Sequence, residues 1–281
     1  MRIHLQPHNR PLSSKVARIE LKVERADKHL HDLRVNLDAF YRVVQAEKSK
    51  FLVREIEPIS GDEIFKIVAV PEVPPMISVI AGDILFNLRS ALDHLAFQLV
   101  IANPACTSKK GIYFPFGENE PDYMASESRG VIETFAKTAV ERIDALKPYK
   151  GGNDFLWWLC RLNNIDKHRL LITTSMRFKH RTATPADYAR MCATIGKGTD
   201  RGGILSEIRH TNFGGPVEPL KVGDIIYRKS KGSKQNQQLE FSFEAGINES
   251  KVVDSESLIE TLYLMVGMVG NFILPKFADL I

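Results

Sequence analysis

Residues Met76 to Asn103, MISVIAGDILFNLRSALDHLAFQLVIAN, place the strongest constraint on how this chain can fold. At about 100° per residue, Ile77, Ile80, Ala81, Ile84, Leu88, Leu92, Leu95 and Leu99 fall on one stripe, the spacing of a helix that faces a core. Asp83, Asn87, Ser90, His94 and Gln98 recur at steps of four, three, four and four, which stacks them into a polar line on one flank. Phe86 and Phe97 fall on the far side. Large apolar groups opposite a core stripe predict a helix covered on more than one side, with its polar line in a groove or interface. The alternative is a solvated polar face.

The flanking chain reads as further helices with short strands between them. Ser13 or Ser14 can cap a long helix running to about Glu47, on which Val16, Ile19, Val23, Ala26, Leu30, Leu33, Leu37, Phe40 and Val44 step by three and four. Residues 51–57 and 63–70 are β-rich runs around the turn Ile59-Ser60-Gly61-Asp62, the pattern of a hairpin. The segment GIYFPFGENEPDY is expected to be extended, and Val131 to Lys147 to be helical up to Pro148. Asn153 or Asp154 can cap a helix over DFLWWLCRLNNIDKHRLL. Leu170 to Lys179 resembles a strand, and Val222 to Arg228 and Leu239 to Glu244 read as two strands around the polar turn KSKGSKQNQQ. Ser257 with Glu260 forms a capping-box pattern ahead of Leu258 to Phe277, a helix apolar almost all round and therefore expected inside the bundle or against a second subunit. The expected fold is α+β, mainly α: a helical bundle with peripheral antiparallel hairpins. A single domain over 1–281 is anticipated, with a helical core of about 13–49, 76–103, 131–170 and 255–278, and a β-rich, basic insertion of about 171–245.

Composition narrows the class without naming a function. With 44% hydrophobic and 26% charged residues, disordered and fibrous classes are excluded. The start, MRIHLQPHNRPLSS, has no apolar leader, and the one long apolar run, Leu258 to Leu274, is interrupted by Glu260, Thr261 and Asn271. The expectation is a cytoplasmic protein without a membrane span. Cys106, Cys160 and Cys192 share no metal-ligand spacing, which fits a reducing compartment. The net charge of +4 is unevenly spread: residues 177–234 carry twelve Lys/Arg against five Asp/Glu, so the rest of the chain is mildly acidic. Such a segment would attract a polyanion, here possible RNA, or act as a solubilising loop.

Two helices carry chemically capable side chains. In the first, Arg89 and His94 stand five positions apart in RSALDH. In the second, Trp157, Arg161, Asn164 and His168 align at steps of four, three and four. Asp166 falls within the second helix's apolar face, where a carboxylate needs a partner, and Arg169 is three residues on; the expectation is a structural ion pair. Arg-x4-His on a bundle helix resembles the HEPN superfamily of helical nucleases and nucleotide-binding domains, whose members carry Arg, four to six residues, then His. The wider pair RSALDHLAF and LNNIDKHRLL is similar to a group of uncharacterised bacterial proteins, a likeness that spans much of the chain. The residue after the arginine is often Asn, Asp or His in active HEPN members and is Ser90 here. The same loose spacing also occurs at Arg2 to His8, Arg25 to His31 and Arg161 to His168, so helical context selects among the matches.

The resemblance implies a homodimer in which two copies of the motif meet and cut RNA without metal. Cleavage through the 2′-hydroxyl needs a group that titrates near neutrality and a fixed cation beside phosphorus; His94 suits the first role and Arg89 the second. Asn87, Asp93, Arg161, Asn164 and His168 are the expected supporting residues, His94 and His168 are expected to face a shared groove, and the 177–234 region is expected to hold RNA. The competing reading is a non-enzymatic interaction protein whose polar seams fix packing, with Arg89 paired to Asp93 at i,i+4. Asp93, His94, Asp166 and His168 could in principle bind a metal. No Glu-x-x-His spacing accompanies them, so the expected cofactor and metal content is none.

Overall fold

In the computed structural model of the protein, the described residues are 14–103, 111–126, 129, 131, 136–168, 174–178, 219–229, 231, 243–249 and 251–281. The fold is α+β and mainly helical, with two three-stranded antiparallel sheets among the described residues. Packing gathers the residues into two compact units: 1–33, 78–172 and 259–281 form the first, and 34–77 with 173–258 the second.

The first unit is helical. Helix α1 spans Ser14–Ala46, and its residues up to Leu33 belong here, where Val16, Ile19, Val23, Ala26, Leu30 and Leu33 are all buried. Helix α2 covers Pro75–Ala102, opening on a proline whose fixed φ suits a first helical turn and stopping before Asn103-Pro104. Every member of its predicted stripe is buried, and Leu85, Ala91, Ala96 and Val100 widen the buried face. Phe86 and Phe97, expected to be covered, are 45% and 38% exposed.

Beyond α2 comes a short helix absent from the sequence expectation: α3, Glu120–Ala125, is capped by Asn119, whose side chain accepts from the Asp122 amide. Its Tyr123 is buried and donates to Asp144 Oδ1 at 2.5 Å, while Arg129 donates to Asp144 Oδ2 at 2.9 Å. Val131 is helical as expected, residues 132–135 lie outside the described residues, and helix α4, Lys137–Asp144, begins after an extended Ala136 that interrupts the expected continuous helix. Helix α5, Asp154–His168, is capped by Asn153, which accepts from the Leu156 amide.

The C-terminal segment is not one continuous α-helix. Helix α6, Leu258–Gly267, passes through a π-helical turn at Met268–Ile273 into α7, Leu274–Phe277. Extra residues in a turn shift the register of the downstream side chains, and Ile273, Leu274 and Phe277 remain buried despite the shift. Asp279 receives a bidentate pair from Arg142 of α4. With α2, this segment is one of two described stretches long and apolar enough to cross a membrane; more than half of each is buried within the protein.

The second unit holds the sheets. Strands β1, Leu52–Ile56, and β2, Glu63–Ile67, form the expected hairpin, with Gly61 at positive φ in its turn. Strand β4, Ile225–Lys229, pairs with the other edge of β2, whereas β5, Phe243–Glu249, lies between β3, Thr174–Phe178, and β6, Val253–Ser257. The first expected run meets β4; of the second, residues 239–242 lie outside the described residues and the rest opens β5, which belongs to the other sheet. Ser257 precedes α6 as anticipated, and its hydroxyl donates to Glu244 at 3.3 Å. The part of α1 assigned to this unit buries Leu37 and Val44 and sets the Tyr41 hydroxyl to accept from the Ala245 amide at 2.8 Å.

Candidate functional site

Arg89 is the centre of the most connected polar cluster on α2. Its Nε lies 3.2 Å from Asp93 Oδ2 and its Nη2 3.0 Å from Asp93 Oδ1, a bidentate i,i+4 pair. The same Nη2 donates to the Phe114 carbonyl at 3.2 Å, and Nη1 approaches Cys160 Sγ at 3.8 Å. The guanidinium also stands over the Phe116 ring, 4.4 Å from its centroid. Asp93 Oδ1 accepts from the Phe114 amide at 2.9 Å, so one carboxylate serves the helix and the 111–117 segment together. The arginine side chain is 12% exposed, with its charge, its edges and one face already engaged.

Cys160 ties this cluster to α5. Burial pushes its thiol up, against the opposing pull of Arg89 and Arg161, and keeps it protonated at neutral pH. Asn164 Nδ2 reaches the same sulfur at 4.0 Å, and Arg161 pairs with Glu118 at 2.8 Å. Arg89, Asp93, Arg161 and Asn164 thus assemble as one neighbourhood. Its remaining members, Cys160, Phe114, Phe116 and Glu118, gave no signal in spacing.

The other expected residues do not join them. His94 is exposed and makes no hydrogen bond or ion pair among the described residues; five positions from Arg89, it points about 140° around the helix. Asn87 is buried and turns back to donate to the Asp83 carbonyl at 2.8 Å, which occupies its amide on its own helix. Trp157, predicted on a polar seam, is buried, with Lys150 Nζ 5.1 Å from its ring centroid. Two contacts fix the direction of the helix pair: Asp166 lies against Gly82, and Cys160 against Arg89, so α2 and α5 run antiparallel. In that register His94 comes beside the start of α5 and His168 ends it. The two histidines are about 20 Å apart along the pair, at 1.5 Å per residue, instead of facing one groove.

Arg169, and with it the expected Asp166–Arg169 pair, lies outside the described residues. Asp166 occupies the space left by the missing side chain at Gly82, where an added Cβ would stand 2.5 Å from Oδ1. Burial raises the Asp166 carboxyl above its ordinary value, and the nearby Asp83 charge adds to the rise. A raised pKa means the folded state binds the proton more tightly than the unfolded chain. Stability therefore falls as pH climbs from the ordinary carboxylate value of 3.8 through the raised one, and the penalty remains in full above it. Asp166→Asn is expected to be more stable than wild type at neutral pH, with the gap closing as pH falls below that window; urea midpoints against pH check this.

Much of the basic 177–234 segment lies outside the described residues. Of its described cations, Arg177 is buried against Glu244 and Arg228 is paired with Glu57 and Asp62. Among the described residues no group of three His, Cys, Asp or Glu side chains could hold a metal ion. No protein-family model, no curated protein and no solved structure matches the chain.

Proposed function

We propose that this chain is a cytoplasmic, homodimeric RNA-binding protein of HEPN type that holds RNA without cutting it. One observation carries the choice of binding over cleavage: the Arg89 guanidinium is committed to Asp93, Phe114, Phe116 and Cys160, while His94 points away from it. A cation that stabilises charge on phosphorus must face the scissile group, and one bound on its edges and stacked on a ring is part of the packing instead. The Arg89 cluster then acts as a clamp that fixes the 111–117 segment on the helix pair.

The test incubates purified protein with mixed RNA in the absence of divalent ions, beside His94→Ala and Arg89→Lys. The expected result is RNA retained on a filter by the wild type and intact in all three reactions, with His94→Ala unchanged in melting temperature because the residue is exposed. Cleavage by the wild type that His94→Ala abolishes would restore the nuclease reading. Light scattering is expected to give a mass near twice 31.7 kDa.

A further inference from the structure

We infer that Phe86, with Lys22 and Lys167 beside it, is a stacking platform for single-stranded nucleic acid, and that the cationic row of α1 beginning at Lys15 carries the strand's phosphates. The inference rests on the RNA-binding reading above and names where the ligand sits. Phe86 belongs to α2 and is 45% exposed, although the rest of that helix is largely apolar and buried. Lys22 of α1 places its ammonium 5.8 Å from the ring centroid, and Lys167 of α5 places its own at 5.2 Å. Three helices of one unit thus supply an open aromatic ring between two cations.

The sequence of α1 extends the pattern. Lys15, Arg18, Lys22 and Arg25 step by three and four along one flank of the buried stripe, and His29 continues the row. Glu20, Glu24 and Asp27 occupy the other flank, so the two signs are sorted to opposite sides and do not alternate. Lys15, Arg18 and Arg25 are exposed and make no ion pair among the described residues. From Lys15 to Arg25 the row runs about 15 Å. Asp83, one turn from Phe86, and Asp166, beside Lys167, repel phosphate on their side and leave the α1 flank as the path for the backbone.

An aromatic face accepts any base, and a line of cations tracks a flexible backbone, so this arrangement suits a single strand and is tolerant of sequence. The lysines leave the ring at little cost, because a cation–π contact at an exposed site is weak, and each can then swing onto a phosphate. The Arg89 cluster supplies no residue to this surface.

Fluorescence anisotropy of the full chain with fluorescein-labelled oligo(A) RNA tests the proposal. Phe86→Ala is expected to weaken binding roughly tenfold, the scale of one lost base stack. Lys22→Gln with Lys167→Gln is expected to flatten the slope of log affinity against log salt by about 1.4, two phosphates at about 0.7 each for a single strand. None of the three positions belongs to the core, and circular dichroism confirms folding. If the wild type binds no RNA, the RNA-binding reading itself fails. If it binds but all variants keep the wild-type affinity and salt slope, the platform is overturned and the RNA-binding reading stands on another surface. Binding to phosphatidylserine vesicles in place of RNA would overturn it in favour of a lipid surface. A Phe86→Ala variant that turns a dimer into a monomer with RNA affinity unchanged would make the ring an interface residue and would equally overturn it.

Discussion

Arg89→Ala is expected to lower the stability of the protein by about 2–4 kcal/mol, read from the urea midpoint at neutral pH. The loss exceeds that of a surface ion pair, which contributes at most about 1 kcal/mol, because the Arg89 and Asp93 side chains are only 12% and 22% exposed. Truncation leaves the Phe114 carbonyl without its donor, strips Phe116 of its stacked cation and leaves Asp93 with the Phe114 amide as its remaining anchor among the described residues. Arg89→Lys recovers little, since an ammonium cannot offer the two parallel edges that Asp93 receives. A loss below about 1 kcal/mol would show the cluster to be incidental to packing and would free the arginine for a role toward a ligand.

The second large effect lies in the other unit. Arg177 of β3 and Glu244 of β5 are register partners, 3.2 Å apart, and each side chain is 7% exposed. Among the described residues no hydrogen bond leaves Arg177 Nε or Nη1, and Glu244 is the carboxylate that compensates the guanidinium charge. Burial is strong beside this sheet: it is the main reason that the phenol of Tyr41, which accepts from the Ala245 amide, is pushed up to about 12. Glu244→Leu strands a buried cation and is expected to cost about 3–5 kcal/mol, or to prevent this unit from folding. Arg177→Met combined with Glu244→Leu removes both charges and is expected to return to within about 1 kcal/mol of the wild type, or to exceed it. Guanidinium unfolding of the two single variants and the double variant gives the coupling directly. Simple additivity of the single losses would sink the argument.

These two clusters also show what the sequence could and could not reveal. The course of α2, its core stripe and the Arg89–Asp93 spacing were legible because helical neighbours recur at three and four positions. Phe114 is 25 residues from Arg89 and Cys160 is 71, and no periodic pattern links residues at such separations. Arg177 was counted with a basic segment, but its strand partner turns it inward. Pairing of β4 with β2 and of β5 with β3 was equally hidden, since strands separated by a polar turn look like a hairpin wherever their hydrogen bonds go. Helix α3 was obscured by Pro121, which reads as punctuation but stands in the first turn of a helix. Gly82 gave no sign of its role, because a glycine chosen to admit Asp166 looks like any helix-weakening glycine until the facing helix is seen.

Helix α1 has a consequence for how the protein is made. Its 33 residues are shared between the two units, and the helical unit that uses its first part also needs residues 259–281. During synthesis the sheet-bearing unit has all its residues once position 258 has been added, whereas the helical unit is still missing a wall. At about 5–20 residues per second, the apolar stripe from Val16 to Leu33 is made more than ten seconds before the last residues of its unit. A nascent chain halted before residue 259 should recruit holding chaperones through that stripe, and one extended through residue 281 should release them.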